Sequence, residues 1–352
     1  MSLESLFLLS SGLFLGWSLG ANDAANVFGT AVGSRMIRFG TAAVICSVFV
    51  ILGAVFSGEG VSRSLGELGS VNALGGAFMV ALAAAAAVFS MIRTGIQVST
   101  TQAIIGAIVG WNAFAGQPTD PAVLFKVILT WGLSPLLAAG FAAGLMIVAK
   151  FWVRLYPIGL IRLDAYTRVA LLLSGAVGAY SLGANNIANV VGVFLPTQPF
   201  SEVQWGGWQL SAVEVLLLIG GVAIASGVLT YSRQTMELIG SGVSRLSPLA
   251  AWVCVSAHSL VLLLFASRGL KEWLVSQGFP SLPLVPVSSS QAILGAILGV
   301  GLLRRGREIH WGTVSRVVWG WLVTPVTAGV LCFIGLYFLQ NVFSIVVVNT
   351  PP

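Results

Sequence analysis

One polar string occurs twice in this chain, each time inside an apolar run. Residues 18–29 read SLGANDAANVFG and residues 181–192 read SLGANNIANVVG, so Asp23 aligns with Asn186 at an offset of 186 − 23 = 163. A second pair follows in the same order, VSTTQAIIGAIVGW at 98–111 and VSSSQAILGAILGV at 287–300. Gln102 then answers Gln291 at an offset of 291 − 102 = 189. TWGLSP at 130–135 and GWLVTP at 320–325 form a third pair, each setting a proline late in an apolar stretch. Three correspondences in one order mean an internal duplication. The growing offset means that the second half has gained length between its first two motifs.

The solvent in which this duplication folds follows from composition. Of the 352 residues 57% are hydrophobic and 8% charged, whereas soluble domains carry about 25% charged residues. Stretches such as 39–56, 73–92, 122–151, 210–230, 250–266 and 317–339 are apolar. Several approach the roughly 20 residues that cross a bilayer as helix. The expected fold class is therefore an all-α integral membrane protein. The first apolar segment lacks a basic leader region and a small-residue cleavage site, and is read as a retained membrane segment. The formal net charge of +6 does not point to nucleic acid. Its basic residues cluster between apolar runs, at Arg35/Arg38, Lys150/Arg154/Arg162/Arg168 and Arg304/Arg305/Arg307, as cytoplasmic loops do. Cys46, Cys254 and Cys332 fall within apolar runs without a CxxC spacing and read as reduced packing residues.

Duplicated membrane units inserted in opposite orientations meet near the midplane, where alternate opening can expose one site to either side. Inversion requires an odd number of crossings per unit. The motifs predict a gapped first helix, two full crossings, a re-entrant hairpin at the STTQ or SSSQ motif, and one or two long crossings around the proline. The expected division is a first transmembrane repeat at 1–155, a linker at 156–168 and a second repeat at 169–352. The 195–209 connection, with two prolines and two tryptophans, reads as a loop. Trp205 and Trp208 read there as interfacial anchors. A short interfacial helix is expected within 269–286.

Polar groups at membrane depth cost free energy and mark function. Gly20, Gly29 and Gly33 suggest an unwound segment that would spread Asn22, Asp23 and Asn26 along its length, with free carbonyls for a cation. Ser99, Thr100 and Thr101, like Ser288, Ser289 and Ser290, stand just before strongly helical sequence, which is an N-cap pattern. Unpaired backbone N–H groups at such ends suit an oxyanion without any lysine or arginine. The capping role alone would also explain the hydroxyls. Arg93, just before the first STTQ motif, reads either as an anion attractor or as a snorkelling loop residue. Gly106/Gly110 and Gly295/Gly299 read as close helix packing. His258 and His310 have no metal-ligand spacing, and packing or a hydrogen bond is their default role. No nucleophile–base pair, metal cluster or nucleotide loop is visible, so neither an enzyme nor a self-contained pump is expected, and no cofactor.

GANDAANVFGTAVGS with a second GANNIAN, together with VSTTQ and PVSSSQ, resembles the inorganic phosphate transporter family over essentially the whole chain. The resemblance implies two inverted-topology repeats with gapped helices and re-entrant helical hairpins around a central phosphate and its coupling ion, Na+ or H+. By position it assigns Asn22, Asp23, Asn26, Asn185, Asn186 and Asn189 to cation coupling, with Na+ at Asp23. It assigns Ser99, Thr100, Thr101, Gln102, Ser288, Ser289, Ser290 and Gln291 to the anion. It also implies a homodimer in a bacterial or archaeal inner membrane. Two departures stand out: Asn186 replaces the aspartate common in the family, and Gln102 and Gln291 replace histidine. One fewer carboxylate implies fewer coupled cations, or a proton in place of one sodium. The alternatives are a sulfate or thiosulfate permease on the same scaffold and, from another class, an ion channel.

Overall fold

The computed structural model describes residues 3–349 except 70, 157, 198–199, 201, 206–207, 243–245, 305 and 307–308. The first half forms α1 (Leu3–Gly33), α2 (Phe39–Ser57), α3 (Glu59–Gly69), α4 (Leu74–Arg93), α5 (Thr100–Ala115) and α6 (Pro121–Leu155). The second forms α7 (Leu160–Val191), a 3-10 turn at Gly192–Phe194, a β-hairpin, and then α8 (Ala212–Gly242) and α9 (Pro248–Ala266). It ends with α10 (Arg268–Ser276), α11 (Ser289–Leu302) and α12 (Trp311–Asn341). The hairpin pairs β1 (Val203–Trp205) with β2 (Trp208–Leu210), antiparallel, Val203 opposite Leu210. It lies within the connection read as a loop. The side chains of Trp205 and Trp208 lie outside the described residues. The segment expected to link the halves is helical from Leu160 onward, where α7 begins.

Local sequence sets several helix starts. Asp120 caps α6 by accepting from the N–H groups of Ala122 (2.8 Å) and Val123 (3.3 Å), with Pro121 in the first turn, where its missing N–H costs nothing. Ser247 and Pro248 repeat the device at α9. Ser99 caps α5 and Ser288 caps α11, each accepting the N–H of the glutamine three residues on at 3.3 Å. The expected N-cap pattern is thus present in both halves.

The packing has the symmetry of the sequence. α1 packs on α8 as α7 packs on α2, α5 on α12 as α11 on α6, and α4 on α12 as α9 on α6. The glycines show why the backbones come so close. A methyl group at Gly20 would collide with the Ile224 carbonyl on α8, and one at its counterpart Gly183 would collide with the Val50 carbonyl on α2. Gly106 lies against Pro325 and Gly110 against Gly329, while Gly295 lies against Pro135 and Gly299 against Ala139. The GxxxG pairs are therefore helix contacts. Each abuts the interior proline of the other half's long helix.

Among the described residues six helices, α2, α4, α6, α8, α9 and α12, are long and apolar enough to cross a membrane. α4 and α9 are wrapped by their neighbours, 72% and 67% buried over their most apolar stretch, whereas α6 and α12, at 17% and 22%, turn most of their surface outward. In the first half the start of α5 lies in the interior, where Val98 O accepts from Asn22 on α1. The two repeats have inverted topology. After α12 the chain folds back over α4 and α5, where Val347 O accepts the indole N–H of Trp111 at 3.1 Å. Asn72 and Asn349 exchange three hydrogen bonds at the end of this strap.

One expectation needs correction. The unwound segment predicted around residues 20–33 is absent, since α1 stays helical to Gly33 and α7 does so through Asn185, Asn186 and Asn189 to Val191. Unsatisfied backbone groups in a membrane interior are costly, and a continuous helix satisfies them. Gly20 serves the close approach to α8 instead of a break.

Candidate functional site

The middle of α1 supplies Asn22, Asp23 and Asn26, and the middle of α7 supplies Asn185, Asn186 and Asn189. The capped ends of α5 and α11 supply the two hydroxyl triplets and the two glutamines. All of these residues are at most 5% exposed. They form one buried polar centre where four elements from both repeats converge.

The carboxylate organises it. Asp23 Oδ1 accepts from Asn22 Nδ2 at 2.6 Å and from Asn26 Nδ2 at 3.4 Å, and Oδ2 accepts from Asn186 Nδ2 at 3.0 Å. All three donors are neutral amides. Among the described residues no lysine or arginine is buried, so this carboxylate has no cationic side chain beside it. A buried charge without a counter-charge costs several kcal/mol. The Asp23 environment is therefore suited to hold a cation.

Hydrogen bonds tie the two helix tips to this centre. Asn26 Nδ2 donates to Ser289 Oγ at 3.0 Å, and Asn189 Nδ2 donates to Thr101 Oγ1, also at 3.0 Å. Thr101 Oγ1 in turn donates to Val287 O at 3.4 Å, which joins the α5 tip to the residue that precedes the α11 cap. Asn22 Nδ2 donates to Val98 O at 2.9 Å. Its counterpart Asn185 accepts from Val287 N at 2.7 Å and donates to Val285 O at 3.3 Å. Asn22 and Asn185 are thus struts that hold each hairpin tip against the long helix of the same alignment position. Ser288 and Ser290 share a hydrogen bond at 3.2 Å.

Several oxygens here have no protein partner: Asn22 Oδ1, Asn186 Oδ1, Asn189 Oδ1, Thr100 Oγ1, Gln102 Oε1 and Gln291 Oε1. Buried polar atoms are ordinarily paired, and two of these oxygens, those of Asn22 and Asn186, belong to side chains bonded to the Asp23 carboxylate. The donors needed by an anion lie at the helix tips. The first N–H groups of a helix have no intrahelical acceptor, and the serine caps take only those of Gln102 and Gln291.

Two contributors were not assigned to the site from sequence. Gln97 Nε2 donates to Asn26 Oδ1, and His258 on α9 lies with Nε2 2.9 Å from Ser289 Oγ. Gln97 directly precedes the VSTTQ motif, which was a usable signal. His258 stands 31 residues before Ser289, and no periodicity connects them. Arg93 is exposed and stacks over the Phe89 ring at 5.7 Å, outside this centre.

This chain is similar to known proteins over most of its length. A relative from Pyrococcus abyssi, named by inference as a phosphate permease, is 27% identical, and the match covers 93% of this chain and 95% of the relative. One from Methanocaldococcus jannaschii with the same kind of name is 26% identical over 91% and 93% of the two chains. A solved structure, the sodium-dependent phosphate transporter, superposes with a TM-score of 0.76 at 20% identity, covering 96% of this chain and 98% of that one. That likeness establishes the fold. The family model described as the phosphate transporter family matches twice, at residues 19–163 and 160–332, and with almost the whole chain so accounted for, this protein belongs to that family.

Proposed function

We propose that this chain is a secondary transporter that imports inorganic phosphate together with Na+, with the site opening alternately to the two sides of the membrane at the repeat interface. The observation that carries the reading is the meeting of two capped helix ends with a carboxylate that has no cationic partner, in one buried centre. The anion falls to Ser99, Thr100, Thr101, Gln102, Ser288, Ser289, Ser290 and Gln291, through hydroxyls and helix-end N–H groups. The cation falls to Asp23, with the unpaired oxygens of Asn22 and Asn186. Na+ is favoured over H+ because it needs several oxygens at once, and several are grouped here.

Phosphate is favoured over sulfate for a reason of protonation. Hydrogen phosphate has a proton to donate and sulfate has none. Asn189 Oδ1, Gln102 Oε1 and Gln291 Oε1 are acceptors without protein donors. The same proposal takes the protein as a homodimer in its membrane, which native mass spectrometry from detergent would read.

Radiolabelled uptake into proteoliposomes tests the reading. Saturable phosphate uptake driven by an inward Na+ gradient, with sulfate a poor competitor, is the expected result. Uptake driven by a proton gradient alone would replace the coupling ion, and preferred uptake of sulfate would replace the substrate. Current without saturable accumulation would make the protein a channel.

A further inference from the structure

His258 is fully buried in α9, and its one polar contact is with a hydroxyl of the anion centre. Nε2 lies 2.9 Å from Ser289 Oγ, while Nδ1 has no partner. Ser289 Oγ also accepts from Asn26 Nδ2 at 3.0 Å. A hydroxyl has one proton and two lone pairs, so with Asn26 on one lone pair the imidazole decides what the other two valences do.

The two neutral tautomers of the ring give opposite outcomes. With the proton on Nδ1, Nε2 would accept the Ser289 proton, and an N–H would be stranded in a buried place without an acceptor. With the proton on Nε2, the ring donates to Ser289 Oγ and only a bare aromatic lone pair goes unpaired. Orphaned buried N–H groups are rarer than under-satisfied acceptors, which selects the second form. Both lone pairs of Ser289 are then filled by Asn26 and His258. Its own proton is left as the one thing it can give.

We propose that His258 is a positioning residue that, as the Nε2–H tautomer and together with Asn26, makes the Ser289 hydroxyl an obligate donor to the bound anion. The proposal rests on the anion-binding reading above. It is specific to one half of the molecule. Thr100, the counterpart of Ser289 at the offset of 189, has no side-chain partner on its hydroxyl and can turn to donate or accept. Ser289 recognises a bare anion oxygen, and the oxygen that carries the phosphate proton is left to the unpaired acceptors.

The chain has two histidines, His258 and His310, so 15N-imidazole labelling of the full-length protein gives two ring systems. A His310→Gln variant assigns them. With Na+ and inorganic phosphate present, His258 is expected to show a protonated Nε2 and a bare Nδ1, and the reverse pattern would overturn the proposal. Transport gives the second readout. His258→Leu should raise the phosphate KM about tenfold at saturating Na+ with kcat nearly unchanged, the loss of one hydrogen bond. His258→Gln, which keeps a donor near the Nε2 position, should recover most of it. A wild-type KM in the leucine variant, or a glutamine variant no better than leucine, would assign the ring to packing alone. The tautomer is read on the wild-type chain, so it decides the matter even if His258→Leu does not fold. A wild-type protein that shows no phosphate uptake, whatever its tautomer, would instead overturn the transport reading.

Discussion

Asp23 Oδ2 accepts the amide of Asn186 at 3.0 Å, and these two residues occupy the same position of the two repeats. A hydrogen bond between equivalent residues places the pseudo-twofold relation between the halves at this contact. Much of the frame around it is symmetric: struts at Asn22 and Asn185, serine caps at Ser99 and Ser288, glycine contacts at Gly20 and Gly183. The charge is not. One side of the contact carries a carboxylate and the other a neutral amide, so the centre holds a single negative charge where a symmetric pair would hold two.

The charge count is testable at this pair. Asp23→Asn keeps the shape and removes the attraction that offsets dehydration of a cation, so Na+-driven accumulation should fall about a hundredfold or more, as expected when one partner of a buried ionic contact is lost. Asn186→Asp would set two carboxylates against each other and should demand a second cation, read as a steeper dependence of phosphate uptake on Na+ concentration. Unaltered Na+ dependence in Asp23→Asn would remove the carboxylate from coupling.

Stability should follow the close helix contacts and not glycine content. Gly183→Ala puts a methyl group against the Val50 carbonyl of α2 and should cost about 1–3 kcal/mol by overpacking. Gly144→Ala in α6 meets open space and should be neutral or gain up to about 1 kcal/mol of helix propensity. Thermal denaturation in detergent, followed by size-exclusion chromatography, separates the two. Equal midpoints would mean that the α2–α7 approach is looser than described.

How far the sequence carried can be seen residue by residue. The duplication, the re-entrant helices and the serine caps were legible, because each leaves a local pattern: a repeated string, a hydroxyl before an apolar helix, a proline late in a run. The continuity of α1 was not. Glycine and polar residues in a membrane segment signal an unwound stretch and a close helix contact in the same letters, and only the position of Ile224 on α8 distinguishes them. His258 was illegible for another reason. Its meaning comes from Ser289, and the contact exists only once α9 and α11 have packed. The hairpin at 203–210 was missed because strands of three residues leave almost no alternation to detect.

Inversion makes a prediction about sidedness. Arg35 follows α1 and Thr197 follows α7, so single cysteines at these positions should label from opposite faces of the membrane. The background would lack Cys46, Cys254 and Cys332, all of which are buried and unpaired. Labelling of both sites from one face would contradict the inversion.

The surface tie between α3 and α10 has a defined pH window. Glu59 contacts Arg63 at 2.8 Å and Arg268 at 3.2 Å, and the hydrogen bond from Arg63 holds its carboxyl below the usual glutamate value of 4.5. A carboxylate lowered in the folded state stabilises above its unfolded pKa and loses that contribution as pH falls through the folded one. Glu59→Gln should therefore cost about 0–1 kcal/mol at neutral pH, as exposed pairs do. The difference from wild type should vanish as the medium is acidified below the ordinary glutamate range, which melting curves at several pH values would show.

Among the described residues Asn26 is the one side chain that bonds both the carboxylate of the proposed cation site and a hydroxyl of the proposed anion site. Its Nδ2 donates to Asp23 Oδ1 and to Ser289 Oγ, and its Oδ1 is fixed by Gln97. A cation at Asp23 competes with the longer of these bonds, 3.4 Å, and so biases the amide toward Ser289, which prepares that hydroxyl for the anion. Coupling of this kind is a free energy shared by two sites, usually a factor of about 5–150 in affinity, and it acts equally in both directions. In wild type, saturating Na+ should raise phosphate affinity by a factor in that range. In Asn26→Ala the factor should collapse to about threefold or less, while each ligand still binds alone. Ser290→Ala offers the contrast, because it weakens phosphate binding by removing an anion contact and should leave the Na+ factor intact. Calorimetric titration of phosphate with and without Na+, and of Na+ with and without phosphate, measures the factor twice. An unreduced factor in Asn26→Ala would remove this amide from the path between cation and anion.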